Sequence, residues 1–152
     1  MRHLGNSADR KSILDRIAAL SPASERRWGC MTVGGMLCHL TDSYGLPLGE
    51  RPASMATGLY QRTIMKWAAL YVVTRWPQST PTRPEFEQGA GGTPPVEFQA
   101  DRARLTRSIE RFSEPGRRFE GHPHPFFGPL TARQWLRWGY LHADHHLRQF
   151  GV

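Results

Sequence analysis

Seven histidines stand in this chain of 152 residues. Two of them, His142 and His146, lie four positions apart in a run with helical spacing. At about 100° per residue they share one side of that helix with Trp135, Trp138 and Gln149. Leu136, Tyr140, Ala143 and Leu147 continue the apolar surface, and Arg133, Arg137, Asp144 and Arg148 gather opposite. Two imidazoles one turn apart inside a buried arc can reach a single metal ion. The spacing also arises by chance, so the pair needs a further donor from elsewhere in the chain.

His39 is that donor. It sits at the edge of a second apolar stripe, formed by Val33, Met36, Leu37, Leu40 and Tyr44. A lone histidine there would ordinarily be a hydrogen-bonded boundary residue. Its weight comes from the pair, because several buried imidazoles are costly unless they share a purpose. Three protein nitrogens leave a tetrahedral cation one open position, the arrangement of a catalytic site. Neutral imidazole suits zinc and nickel, so His39, His142 and His146 are expected to hold one divalent ion of this kind.

His145 points to one side of His142, and Gln149 lies one turn beyond His146. Both are candidates to orient the ligands, set against plain packing. His122 and His124 fall in a Pro-rich aromatic loop and read first as structural anchors. For His124 a place at the pocket mouth is the alternative. Cys38 neighbours His39 but points about 100° away, as a small buried hydrophobe would.

The elements that must position these residues emerge from the same periodicity. Residues 7–20 form a first helix with Ile13, Leu14, Ile17 and Leu20 inward, ended by Ser21 and Pro22. Thr32 caps a second helix, which Gly45 and Pro47 close. Residues 56–75 predict a third helix with Leu59, Thr63, Trp67, Leu70 and Thr74 facing in. A Pro/Gly-rich loop at 77–97 leads to a fourth over residues 98–112, whose Arg104, Arg107 and Arg111 line the outer side. Thr131 then caps the last helix, which stops at Phe150 and Gly151. Strand alternation and internal repeats are absent. The reading is one all-α domain over residues 1–152, in which metal sites form between facing helices.

Composition narrows the function. The formal charge is +7, and 18 of the 20 basic residues are arginine. They are scattered rather than clustered, which argues against a dedicated nucleic-acid surface. Two cysteines exclude a disulfide framework and fit a reducing compartment. The start lacks the apolar core of a signal peptide, and the longest apolar run, over residues 67–73, is too short to span a bilayer. A cytoplasmic protein without a membrane segment is expected. Trp67, Tyr71 and Trp76 exceed what one small bundle can cover, so a homodimer is expected too.

Three stretches carry a resemblance: Trp28-Gly-Cys-Met-Thr-Val-Gly-Gly-Met-Leu-Cys-His-Leu40, His124-Pro-Phe-Phe-Gly-Pro-Leu-Thr131 and His142-Ala-Asp-His-His-Leu-Arg-Gln-Phe-Gly151. Together they resemble the DinB/YfiT-like superfamily, and within it the branch described as a domain of unknown function, DUF1569. The resemblance implies a four-helix bundle, often dimeric. It also implies a divalent metal held by one histidine of the second helix and two of the last. On this chain those positions are His39, His142 and His146. Relatives of that type include thiol-dependent S-transferases, a mycothiol-dependent isomerase and proteins described as metal-dependent hydrolases. A small-molecule substrate and a low-molecular-weight thiol cosubstrate are thereby implied. Two non-enzymatic readings stand beside this one: a ligand- or metal-binding bundle, and, more weakly, a nucleic-acid binder.

Overall fold

The first helix, α1 (Ser7–Ala18), begins where the Asn6 side chain accepts the N–H groups of Ala8 and Asp9. Such a cap satisfies donors that the first turn leaves unpaired. The structure, a computed structural model, describes residues 1–52, 58–78, 90–119 and 123–152. Thr32 caps α2 (Val33–Gly45) through a 3.0 Å bond from the Gly35 N–H. Glu97 caps α3 (Phe98–Phe112) by accepting the N–H groups of Gln99 and Ala100, and those two bonds hold its carboxyl below the ordinary value. Thr131 and Gln134 close a reciprocal capping box on α4 (Ala132–Gln149). Among the described residues the fold is all-α, without a strand.

α2 lies along α3, α1 packs on α4 and α3, and α2 also meets α4. Leu37, Leu40, Tyr44, Leu105, Ile109, Phe112 and Trp135 are fully buried between them. Gly139 sets the closest approach. A Cβ there would come within 2.8 Å of Phe112 and 3.1 Å of Tyr44. The bare backbone lets the Tyr44 hydroxyl donate to the Gly139 carbonyl at 2.7 Å. α2 and α4 are thereby held close enough for side chains one to two turns onward to touch.

The expected third helix is the main correction. Residues 56 and 57 and most of the 77–97 loop (79–89) lie outside the described residues. The chain is helical over residues 59–72 but contains two π-helical stretches there, Gln61–Met65 and Ala68–Val72. Of the five residues expected to face inward, only Leu70 is buried. Leu59 is 80 % exposed and Trp67 61 % exposed. The π turns hydrogen-bond i to i+5, so each residue advances through a smaller angle than an α-helix gives. A stripe drawn at α-helical spacing therefore drifts off the face that packs. That face docks on α4 through Leu70 and through Arg137 Nε, which donates to the Leu70 carbonyl at 3.1 Å. No helix among the described residues is long and apolar enough to cross a membrane.

Candidate metal centre

α2 and α4 bring His39, His142 and His146 into one triangle. Their ring centroids are 5.1, 4.8 and 4.9 Å apart, and one ligating nitrogen from each lies within 4.8 Å of the other two. His39 Nε2 and His142 Nε2 approach to 3.2 Å. Two nitrogens bound about 2.0–2.1 Å from a tetrahedral cation would stand about 3.3 Å apart, so this pair already has ligand spacing. The cluster can hold a metal ion.

Protonation favours that use. Burial lowers the pKa of His142 well below the ordinary imidazole value, and repulsion from His146, His39, His145 and His124 adds to it. Burial does the same for His146, with His39 next in weight. Both rings are neutral at pH 7, the form with a lone pair to give.

Gln149 decides which nitrogen of His146 offers that lone pair. Gln149 Nε2 donates to the Trp28 carbonyl at 2.9 Å, and a carbonyl can only accept. Its Oε1 must then face His146 Nδ1, 3.0 Å away, and accept from it. The Nδ1 of His146 accordingly carries the proton, and Nε2 is left to face the triangle. Gly29 makes this possible: it has φ +77°, and a Cβ there would fall 2.5 Å from Gln149 Nε2. Second partners of this kind fix the tautomer and orientation of ligating histidines.

The other expected residues divide. His145 is buried beside His146 with ring centroids 5.1 Å apart, but it packs against the cluster instead of hydrogen-bonding it. Trp28 covers its other side at 4.8 Å, and burial pulls its pKa down to about 4. His124 anchors its loop. Its Nδ1 accepts the N–H groups of Phe126 and Phe127, and its ring stacks on Phe127. It also lies against Trp138, the indole that covers His142, so one ring separates it from the triangle. His122 lies outside the described residues. Cys38 is buried, and burial raises its thiol to about 11, as for an inert small hydrophobe.

Trp76 escaped the sequence reading as part of the site. Its Nε1 donates to the Ala69 carbonyl, which swings the indole over His142 and His145 at 6.0 and 6.2 Å. Nothing in the local spacing could have revealed that fold-back. The nearby carboxylates are engaged elsewhere. Asp42 accepts from Thr93 and pairs with Arg51, Asp144 pairs with Arg16 and Arg148, and Glu50 pairs with Arg111. Within the triangle, His142 Nδ1 is buried without a hydrogen-bond partner among the described residues. Such an orphan costs on the order of 1–3 kcal/mol, which a gain on the opposite ring nitrogen would have to offset.

The family described as "Protein of unknown function (DUF1569)" matches residues 6–151. No curated protein and no solved structure matches the chain.

Proposed function

Because the chain belongs to the DUF1569 family, whose description assigns no activity, we propose its function from the site itself: a metal-dependent enzyme acting on a small molecule. The observation that carries the reading is the triangle of His39, His142 and His146, in which burial keeps the latter two neutral and Gln149 fixes the tautomer of His146. His39, His142 and His146 would hold one divalent cation, zinc or nickel by the softness of three imidazole nitrogens. Bound there, such an ion supplies Lewis acidity that lowers the pKa of a water or a thiol. Gln149 holds His146 in its ligating tautomer. Trp76, Trp138 and His145 exclude water from the ring cluster on the protein side.

Thiol transfer is favoured over hydrolysis. A hydrolytic water needs a base to take its proton, and the carboxylates nearest the ligands in sequence are committed elsewhere. A low-molecular-weight thiol is acidic enough to lose its proton to solvent, and its sulfur then bonds to an electrophilic carbon as that carbon's leaving group departs with the electron pair of the broken bond. The resemblance to the DinB/YfiT-like superfamily supports the same choice, together with a four-helix bundle and a single domain. We also place an interface between two copies on the 59–72 face, where Leu59, Tyr60, Ile64, Trp67 and Tyr71 are exposed. A non-catalytic binding bundle is the competing reading.

The test is a panel in which metal-loaded protein meets several bacterial thiols with a reactive electrophile, and separately esters and amides. Thiol-dependent product that disappears in His142→Ala is expected. Hydrolysis without thiol would replace transferase by hydrolase. Silence in both panels with metal bound would favour the binding bundle.

A further inference from the structure

A cleft of about 470 Å³ opens beside the C-terminal end of α4. Arg27, Arg75 and Arg148 line it, reaching it from the segment before α2, from the end of the π-helical region and from the last turn of α4. Gln78, Gly151 and Val152 complete the lining with Trp28, and no aspartate or glutamate side chain among the described residues takes part in it. We propose that this cleft binds the carboxylate or phosphate group of a small-molecule ligand.

The charge of the three arginines is largely uncompensated. Arg27 is held by carbonyls: its backbone N–H donates to Gln149 O at 2.7 Å and its Nη2 to Gly151 O at 3.3 Å. Gly151, at φ +80°, lets the guanidinium lie against the backbone, since a Cβ there would come within 2.5 Å of it. Arg75 is exposed and has neither an ion pair nor a hydrogen bond among the described residues. Arg148 gives its Nε to Asp144, a carboxylate already shared with Arg16, and its Nη2 is shielded from water without a partner among the described residues. Guanidinium forks match the two-oxygen edge of a carboxylate or phosphate, and a converging set binds it with direction as well as charge.

Trp28 is the one aromatic side chain among the described residues that line the cleft. Trp28 lines the cleft and lies against His145, which in turn lies against His146. Trp28 and His145 thus link the cleft to the histidine triangle through successive ring contacts. Its volume is that of a small-molecule site. A duplex would need a continuous basic strip, and here three charges converge on one concavity.

The inference does not depend on the metal, so it is tested on chelator-treated protein. Calorimetric titrations at low salt would use inorganic phosphate, succinate and citrate, with a short duplex DNA as the macromolecular arm. At least one small anion is expected to bind, and Arg75→Ala should weaken it roughly tenfold or more, as for loss of a charge-assisted contact. Arg75→Lys should fall between, because it keeps the charge and loses the fork. Arg75 supports no other group among the described residues, so these variants fold. Arg133→Ala removes the same charge from an exposed position at the other end of α4 and should leave affinity within about twofold. The proposal is overturned if none of the three anions binds, or if Arg133→Ala weakens binding as much as Arg75→Ala. It is equally overturned if the DNA binds more tightly than every small anion and depends on Arg75 in the same way.

Discussion

Residues 135–149 of α4 and residues 59–72 both carry tryptophan on an apolar stripe, yet one stripe is sealed and the other stands open. In α4 the turns are regular, both ends are capped, and Trp135 and Trp138 reach the core beside the histidines. In 59–72 the π turns rotate the stripe outward, and Trp67 faces solvent. Similar residue types thus serve two ends. Where the helical period holds, aromatic groups desolvate ionisable ones. Where it slips, they become a surface.

The sharpest way to break this contrast is at the sealed end. His146→Ala should abolish both stoichiometric metal binding and activity, measured by metal titration and the thiol assay, because two imidazoles alone remain. Gln149→Leu should act more gently. Metal should still load at high protein concentration, while affinity falls roughly ten- to hundredfold and turnover drops, the usual cost of losing a group that orients a ligand. Equal affinity in Gln149→Leu and the parent would remove Gln149 from the account.

Acid should expose the same burial. His142, His146 and His145 have folded pKa values below the ordinary value, and for His145 it is about 4. Between the folded and unfolded values the unfolded chain binds more protons, so stability falls as pH drops below about 6.5 and levels off once the folded values are passed. The Tm of metal-free protein should decline through that window. A flat Tm would contradict neutral, buried imidazoles. The smallest folding effect belongs to the open stripe. Trp67→Ser should change monomer stability by no more than about 0.5 kcal/mol, since the side chain lies largely in water. It should nevertheless shift a dimer towards monomer in sedimentation. A parent protein that sediments as monomer at every concentration would dismiss the interface.

Much of the sealed end was legible because it is local. Thr32 and Thr131 are caps whose hydroxyls need only the next turn, and His142 and His146 are related by one helical repeat. His39 was legible as the edge of a stripe, although its 3.2 Å approach to His142 depends on Gly139 letting α2 and α4 close together. The orientation of Gln149 was out of reach, because the Trp28 carbonyl that fixes it stands 121 residues away. Trp76 was misread as surplus surface because its indole bends back through a hydrogen bond that no periodicity encodes. The inward face over 59–75 failed for the opposite reason: a period was applied where the backbone does not keep it.

Elemental analysis of protein purified without a histidine tag is the most direct test that His39, His142 and His146 are assembled for one cation. About one equivalent of zinc or nickel per chain is predicted, retained through dialysis and lost in His142→Ala. Tag-free protein that holds no divalent metal as purified, and takes none up when zinc or nickel is supplied, would contradict the account.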